Sequence, residues 1–565
     1  MKNWQHDWQG AVIVMMLAAG LCYLQSFALP FSFLFETDYL AQPYDQKGLL
    51  KGGLYLISYL LAIFAVLSVI FLRRSWLAVL AIIFIALIYA ADSFVQLLGS
   101  SDNGLTVEML SIAINEAGRA DMMLAYRHLL IYAALIFLGL CLLFWLIRRQ
   151  LSYLSFSGRW IITGLLFAAL LAGGLVFKIP SITSHSYPAP VKLPVMLTEY
   201  VKKYAHTRPR VLDAAIRPQQ PRAYQTIVWI VDESISGDYL SLNGYSKPTT
   251  PYLESVQDAA YLKNFGVVNA VSNCSNTSNL FLRIGLTTDL EADFDQARQT
   301  LPTIFQYAKR AGYEVHLLDA QVSSGELQNH LTAHDLKQID QHITFSRQHL
   351  PAQRDQLIAD YLRDQLASDD NTPRFIVAVK WGAHWPYPLA FPAEKTVFKP
   401  SATESFTSMT QENREILLNA YANVLRHSVD DFTHSWQPQQ LTDEQIVFYT
   451  SDHGQSLFEH DDTLTHCHYA ADPQQLPQGE FRVPLLVFTP QAKQKFSSNQ
   501  HHLYSQQQLF STTLRLFGYP ESVYRKHGPT LFEGNPELVA ESFVLDSGLK
   551  IRLTPAMLRG NGQQP

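Results

Sequence analysis

Three short stretches of this chain carry residue types suited to metal-assisted chemistry. The segment YTSDHGQSLFEHDDTLTHCHYA, residues 449–470, places Asp452, His453, His460, His466 and His468 behind an apolar run. A second run, TIVWIV, residues 226–231, leads into Asp232, Glu233 and Ser234. A third, RFIVAVKWGA, leads into His384. Carboxylates with imidazoles form a ligand set suited to Zn2+. Singly each stretch is weak: a DHG tripeptide arises by chance, and residues 449–470 also read as a polar surface loop. Together they bring acids and imidazoles to one place if the three apolar runs are neighbouring strands. Within the loop, His460, Asp461 and Asp462 read as solvated.

A nucleophile is sought in NAVSNCSNTSNLFLRIGLTT, residues 269–288, where a hydroxyl-rich stretch turns apolar. That pattern puts a Ser or Thr at the start of a helix, where backbone N–H groups and the helix dipole favour an anion such as phosphate. A neighbouring cation would lower the pKa of that hydroxyl and let it attack phosphorus. The stretch alone is equally an ordinary polar helix start. Of four cysteines, Cys22 and Cys141 lie in apolar runs and Cys274 and Cys467 in the polar half, which is not a disulfide framework. A Cys274–Cys467 bridge is open to an oxidising compartment; the alternative is two free or buried thiols.

The elements that must position these residues follow from the apolar pattern after residue 222. Strand-like runs at 226–231, 313–320, 374–381, 445–451 and 483–490 alternate with helical segments such as LPTIFQYAKRAG. Strands this apolar are buried on both faces, which predicts an α/β domain with a mostly parallel sheet covered by helices. Chemistry in such folds sits at the carboxyl ends of the strands, where Glu233, His384, Asp452 and His453 fall.

The first part of the chain is different. The 565 residues carry a formal net charge of -6 and a mean hydropathy of +0.01, which conceals a steep gradient. Nothing suggests a polyanion partner, so nucleic acid is not expected. Five apolar runs, roughly 10–35, 53–72, 76–98, 127–147 and 159–177, each approach the ~20 residues that span a bilayer. Arg73 and Arg74, and then Arg148, Arg149 and Arg159, mark two cytoplasmic loops, which puts the N-terminus inside and everything after Lys178 outside. The expected organisation is a five-helix transmembrane domain over 1–178, a Pro-rich linker over 179–221 containing an interfacial helix or a plain tether, and a soluble domain over 222–565. In the loop LTVEMLSIAINEAGRADMMLAY, Glu108 and Glu116 face either a lipid head group or solvent.

With these residues in view, the chain resembles the membrane-anchored phosphoethanolamine transferases of Gram-negative bacteria, within the alkaline-phosphatase and sulfatase superfamily. The stretches that carry the resemblance are IVDESISGDYLSLNGYSKPTTPYL, NCSNTSNLFLRIGLT, GAHWPYP, NAYANVLRHSVDDF and YTSDHGQSLFEH. The resemblance implies an alkaline-phosphatase-like catalytic domain in the periplasm, anchored in the inner membrane as a monomer. It implies one or two Zn2+, held by Glu233, Asp452, His453 and the nucleophile oxygen. Counting from Cys274 and back from Leu286 and Thr287 makes that nucleophile Ser278, with Thr277 as the alternative. His384 and His466 are implied to act on the phosphoryl group, and Glu108, Glu116, Gln321, His384, His466 and His468 to bind substrates. The implied reaction moves phosphoethanolamine from phosphatidylethanolamine to lipopolysaccharide or another envelope acceptor through a phosphoryl-enzyme. The chain departs from the family pattern at Gln455, in the stretch VAVKW, in its few cysteines and in a serine nucleophile. Alternative readings are a phosphoglycerol transferase of the same superfamily and a non-catalytic lipid-binding membrane module. A formylglycine sulfatase is disfavoured, because Cys274 is followed by Ser275, Asn276, Thr277 and Ser278 without the required proline and arginine.

Overall fold

The computed structural model describes residues 68–97, 105, 127–151, 192, 195–199, 209–285, 294–322, 327–346, 348–402, 407, 410–459, 466–468, 476–496, 504–533, 540–544 and 549–553. The chain divides into two compact units, Met1–Ala120 with Tyr126–His206, and Asp121–Ala125 with Thr207–Pro565.

In the first unit, α1 (Ser75–Leu97) and α2 (Arg127–Gln150) are built from Leu, Ile, Ala and Phe with no acidic residue in either first turn. At ~1.5 Å per residue, each is long enough to cross the ~30 Å hydrocarbon layer. The stretches Ser75–Val95 and Leu129–Gln150 have mean hydropathies of 2.4 and 2.7, and they coincide with the expected spans at 76–98 and 127–147. The expected spans at 10–35 and 159–177, most of 53–72, and Glu108 and Glu116 lie outside the described residues. The two helices pack together, and at the α2 end Arg148 donates to the carbonyls of Ile70 and, at 3.1 Å, Leu72. Asp92 sits inside an apolar span and is buried, so its charge must be paired. Its Oδ1 accepts from Lys192 Nζ and from the Leu105 amide, both at 2.8 Å.

The second unit is a seven-stranded sheet in the order β2-β7-β6-β1-β5-β3-β4. Its strands are β1 (Thr226–Asp232), β2 (Leu262–Asn269), β3 (Glu314–Asp319), β4 (Gln341–Thr344), β5 (Arg374–Val379), β6 (Gln445–Ser451) and β7 (Arg482–Phe488). Four of the six neighbouring pairs are parallel, but β7 runs antiparallel to both β6 and β2, so the expected mostly parallel sheet is a mixed one. Every residue of β1, β5, β6 and β7 is buried, which is why these runs lack polar alternation. β2 was hidden from the sequence pattern by Lys263, Asn264 and Gly266. It carries an irregularity between Asn264 and Val267, where Gly266 takes a φ of 79°.

Around the sheet lie α3 (Ser275–Ile284), α4 (Ile304–Arg310), α5 (Pro351–Leu366), α6 (Arg414–Val424) and α7 (Gln508–Leu516). One core joins Ile227 and Trp229 of β1 to Phe305 of α4 and to Leu509 and Leu514 of α7. Trp229 Nε1 donates to Thr513 Oγ1 at 3.0 Å, so even this large indole leaves no unpaired N–H.

At the carboxyl edge the sheet encloses a charge pair. Lys380 Nζ lies 2.6 Å from Asp232 Oδ2, and both side chains are fully buried. Tyr449 also donates to Asp232 Oδ2 at 2.6 Å, and Lys380 donates to Ser428 Oγ at 2.8 Å. Removing one partner strands the other charge away from water. Lys380→Met should therefore destabilise the second unit by about 3–5 kcal/mol. Urea unfolding followed by tryptophan fluorescence checks this, and a loss below about 1 kcal/mol would show that Asp232 does not depend on the pair.

Candidate metal centre

β6, β1 and β5 are adjacent and parallel, so their carboxyl ends open at one place. Asp232 is in register with Ser451, and the chains leaving the two strands are stitched together. Asp452 N donates to Asp232 O at 2.8 Å, and Ser234 N to Asp452 Oδ1 at 3.1 Å. Ser234 takes a left-handed φ of 59° to make the turn after Glu233. Two glycines allow the close approach. A Cβ on Gly382, whose φ is +57°, would lie 2.2 Å from Asp232 Oδ1, and one on Gly454 would lie 2.0 Å from Gly479 O.

Glu233, His453 and His466 each present one ligand atom, and these atoms lie within 4.8 Å of one another. Glu233 Oε1 is 3.4 Å from His453 Nε2, and Asp452 Oδ2 is 3.8 Å from the same nitrogen. His453 Nδ1 is 2.7 Å from the Gly454 carbonyl and so carries the proton it donates there, which leaves Nε2 as the nitrogen facing the carboxylates. The Glu233, Asp452 and His453 side chains are at most 1% exposed. Gln321 supports the first of these: its Nε2 donates to Glu233 Oε2 at 2.9 Å and to Lys380 O at 2.8 Å. Gln328 Nε2 in turn holds Gln321 Oε1 at 2.8 Å.

The charges sort themselves accordingly. Burial, and then the Glu233 carboxylate, push the Asp452 carboxyl well above its usual range. Burial would raise Glu233 as well, but the hydrogen bond and charge of His453, with His384 and His466, hold it well below. Burial opposes the positive charge on His453, but Asp452 and Glu233 raise its imidazole to about 9. Desolvation, and then the charge on His453, hold His466 well below the usual histidine range. Two carboxylates this deep need positive charge beside them, and oxygen and imidazole donors together suit a zinc-type cation.

The structure separates the expected site residues. Glu233, Asp452, His453 and His466 come together, and the His453 and His466 rings are 4.5 Å apart. His384 Nδ1 is engaged with the Trp385 carbonyl at 2.7 Å. His468 Nδ1 is paired with Glu480 Oε1. Gln321, expected to bind substrate, has its amide nitrogen on Glu233 and the Lys380 carbonyl.

The hydroxyls at the start of α3 differ in where they point. Ser278 is fully buried, and its hydroxyl donates to the backbone carbonyl of Asp452. The Thr277 hydroxyl donates to Asn276 Oδ1 at 3.0 Å. Two described hydroxyls reach Glu233: Ser234 Oγ donates to its Oε1 at 2.7 Å, and Ser275, the first residue of α3, reaches both Glu233 and His453. Ser275 Oγ lies 3.2 Å from Glu233 Oε1 and 3.0 Å from His453 Nε2. In the sequence Ser275 is where the hydroxyl-rich stretch enters the helix, whereas the family register counted from Cys274 selects Ser278. Glu480 and Asn273, which both bond to His468 and to each other, were not singled out in the sequence. Cys274 and Cys467 form a disulfide.

Among known proteins, the family model described as Sulfatase matches residues 225–519, more than half of the chain. The Kdo(2)-lipid A phosphoethanolamine 7''-transferase of Salmonella typhimurium is 25% identical over 281 residues, which cover 48% of this chain and 46% of that protein. Phosphoethanolamine transferase EptA of Helicobacter pylori is 26% identical over 317 residues, covering 54% of this chain and 56% of that one. The chain thus spans about half the length of these curated relatives. Among solved structures, the integral membrane lipooligosaccharide phosphoethanolamine transferase A of Neisseria meningitidis superposes with a TM-score of 0.59 at 18% identity, over 92% of this chain and 98% of that one. This last likeness shows the fold, and the relatives bear out the resemblance drawn from the sequence motifs.

Because Gln321 fixes the orientation of Glu233, Gln321→Ala should weaken zinc binding by about 10–100-fold. Glu233→Gln and His453→Ala should abolish it. Competition with a chromophoric chelator measures all three, and wild-type affinity in Gln321→Ala would rule out this role for the amide.

Proposed function

This chain belongs to the sulfatase family, and we propose that it transfers phosphoethanolamine from phosphatidylethanolamine to a cell-envelope acceptor, lipid A or lipopolysaccharide core. The observation that carries this reading is the position of Ser275, a hydroxyl on the first turn of a helix and within hydrogen-bond reach of Glu233 and His453. The relatives named as phosphoethanolamine transferases support the choice of group and acceptor. The two described apolar helices are consistent with a donor taken from a bilayer.

A zinc-type cation held by Glu233, Asp452, His453 and His466 would lower the pKa of a neighbouring alcohol and neutralise phosphoryl oxygens. Ser275 is the nucleophile in place of Ser278. Its hydroxyl, which donates to Glu233 Oε1 at 3.2 Å, gives its proton to that carboxylate, and Oγ forms a bond to phosphorus as the bond from phosphorus to the glyceryl oxygen breaks. His384, whose Nδ1 is committed to a backbone carbonyl, presents Nε2 as the group that returns a proton to the departing diacylglycerol. Phosphoethanolamine remains esterified to Ser275. An acceptor hydroxyl or phosphate then attacks the same phosphorus, any proton it carries passing to His384, and the bond from phosphorus to Oγ breaks as the serine takes its proton back from Glu233. The first-turn N–H groups of α3 and the positive end of its dipole stabilise the phosphoryl charge in both steps.

We further propose that the protein resides in a bacterial inner membrane as a monomer, with a cytoplasmic N-terminus and five spans in 1–178. The linker of 179–221 then leads to a periplasmic catalytic domain over 222–565.

Ser275→Ala should reduce transfer by ~10³-fold or more, as loss of a nucleophile does. Ser278→Ala and Thr277→Ala should retain transfer. Mass spectrometry of lipid A from expressing cells reads the transfer, and the tryptic peptide bearing residue 275 should gain a phosphoethanolamine mass after exposure to donor alone. An adduct that survives Ser275→Ala and disappears in Ser278→Ala would return the role to Ser278. Consumption of phosphatidylglycerol with phosphatidylethanolamine untouched would overturn the donor.

A further inference from the structure

The disulfide joins two residues that each stand one peptide bond from the candidate centre. Cys274 immediately precedes Ser275, and Cys467 immediately follows His466. The bridge is buried, with Cys274 3% and Cys467 7% exposed. It is not the only link between the start of α3 and residues 466–468. Cys467 N donates to Asn273 O at 3.0 Å, and Asn273 Nδ2 donates to His468 O at 2.8 Å. The same amide reaches Glu480 Oε2 at 2.8 Å, and that carboxylate holds His468 through both Nδ1 and the backbone amide.

Cys467 itself has a φ of 62°, a left-handed conformation that an L-residue adopts only when its surroundings impose it. The imposed turn aims the preceding residue, His466, at Glu233 and His453. Without the bridge, Cys467 would be free to relax toward negative φ, and the direction of His466 would change with it.

We propose that the Cys274–Cys467 disulfide and the Asn273 amide form a clamp that positions His466 as a metal ligand, so that metal affinity depends on the bridge. The inference rests on the metal centre proposed above. It assigns positioning roles to three residues, none of which meets the metal or the substrate. It differs from a simple covalent staple, which would raise stability and leave the affinity of a folded site unchanged.

The test is zinc affinity, measured by chelator competition on the full-length protein in detergent, with cobalt absorption as a report of ligand number. Four proteins are compared: wild type, Cys274→Ser with Cys467→Ser, His466→Ala, and the combination of all three substitutions. The double serine variant should bind zinc about 10–100-fold more weakly than wild type, as loss of an orienting partner does. The triple variant should bind no more weakly than His466→Ala, because effects that pass through one residue do not add. The cobalt spectra of the double serine variant and His466→Ala should shift in the same direction. Wild-type zinc affinity in the double serine variant, or additive losses in the triple, would overturn the clamp. Absence of zinc binding by wild type would instead overturn the metal centre. If the double serine variant does not fold, Asn273→Ala, which keeps the bridge, should still bind zinc several-fold more weakly than wild type, and unchanged affinity there overturns the clamp as well.

Discussion

Charge taken out of water is the constraint on which the catalytic unit is built. Glu233 and Asp452 come from neighbouring strands and share one imidazole, His453, with almost no solvent contact. Like charges at such depth can both persist only beside compensating positive charge. The side chains supply part of it through His453, whose imidazole is raised to about 9 by the two carboxylates once they outweigh its burial. A divalent cation of the kind proposed above would supply the rest.

The sheet solves the same problem once more, directly behind the site. Asp232 is the residue before Glu233, and its carboxylate is neutralised by Lys380 from the next strand. Asp232 Oδ1 accepts the Glu233 amide at 3.0 Å, and its carbonyl accepts the Asp452 amide at 2.8 Å. The buried pair therefore fixes the backbone from which both proposed metal carboxylates depart. Lys380 lies in the stretch VAVKW, which departs from the family pattern in the sequence, and its neighbour Gly382 is the position where any side chain would collide with Asp232. Ligand geometry here is inherited from a second charge pair that no substrate reaches.

What was legible in the sequence follows from which physical signals are local. β1, β5 and β6 announce themselves by unbroken apolar runs, and their carboxyl ends by the acids and imidazoles that follow, so the gathering of Glu233, Asp452 and His453 at one edge was legible without structure. The direction of β7 was not legible, since VPLLVFTP reads the same in either orientation. β4 is four residues long with mostly half-buried side chains, too brief for a period to emerge. Ser275 and Ser278 have the same chemistry and lie one helical turn apart. Which of them meets the cluster depends on where the helix starts and how deeply it is inserted, and neither is local. Gln321 carries no charge to mark it, and its role appears only once β3 and β1 bring it beside Glu233. The cysteine pairing joins residues 193 positions apart, and sequence spacing could offer it only as one possibility.

The start of α3 shows how these constraints meet in one turn of chain. An ordinary helix start uses a Ser, Thr, Asp or Asn at the N-cap, whose oxygen occupies first-turn N–H groups and contributes about 0.5–2 kcal/mol. Here the N-cap is Cys274, which makes no side-chain cap bond, and the first turn holds no acidic residue. The helix supplies no anion of its own to its positive end, and the carboxylate found there is Glu233, 3.2 Å from Ser275 Oγ. Asn276 Oδ1 accepts the Thr277 amide at 2.7 Å, but the sulfur of Cys274 is turned to Cys467 and competes for none of these donors. Stability given up at the cap is offset by a covalent link, and an electropositive turn is preserved beside Ser275. A phosphoryl group arriving at that serine would meet first-turn amides that no N-cap side chain occupies, the Thr277 amide held by Asn276 excepted.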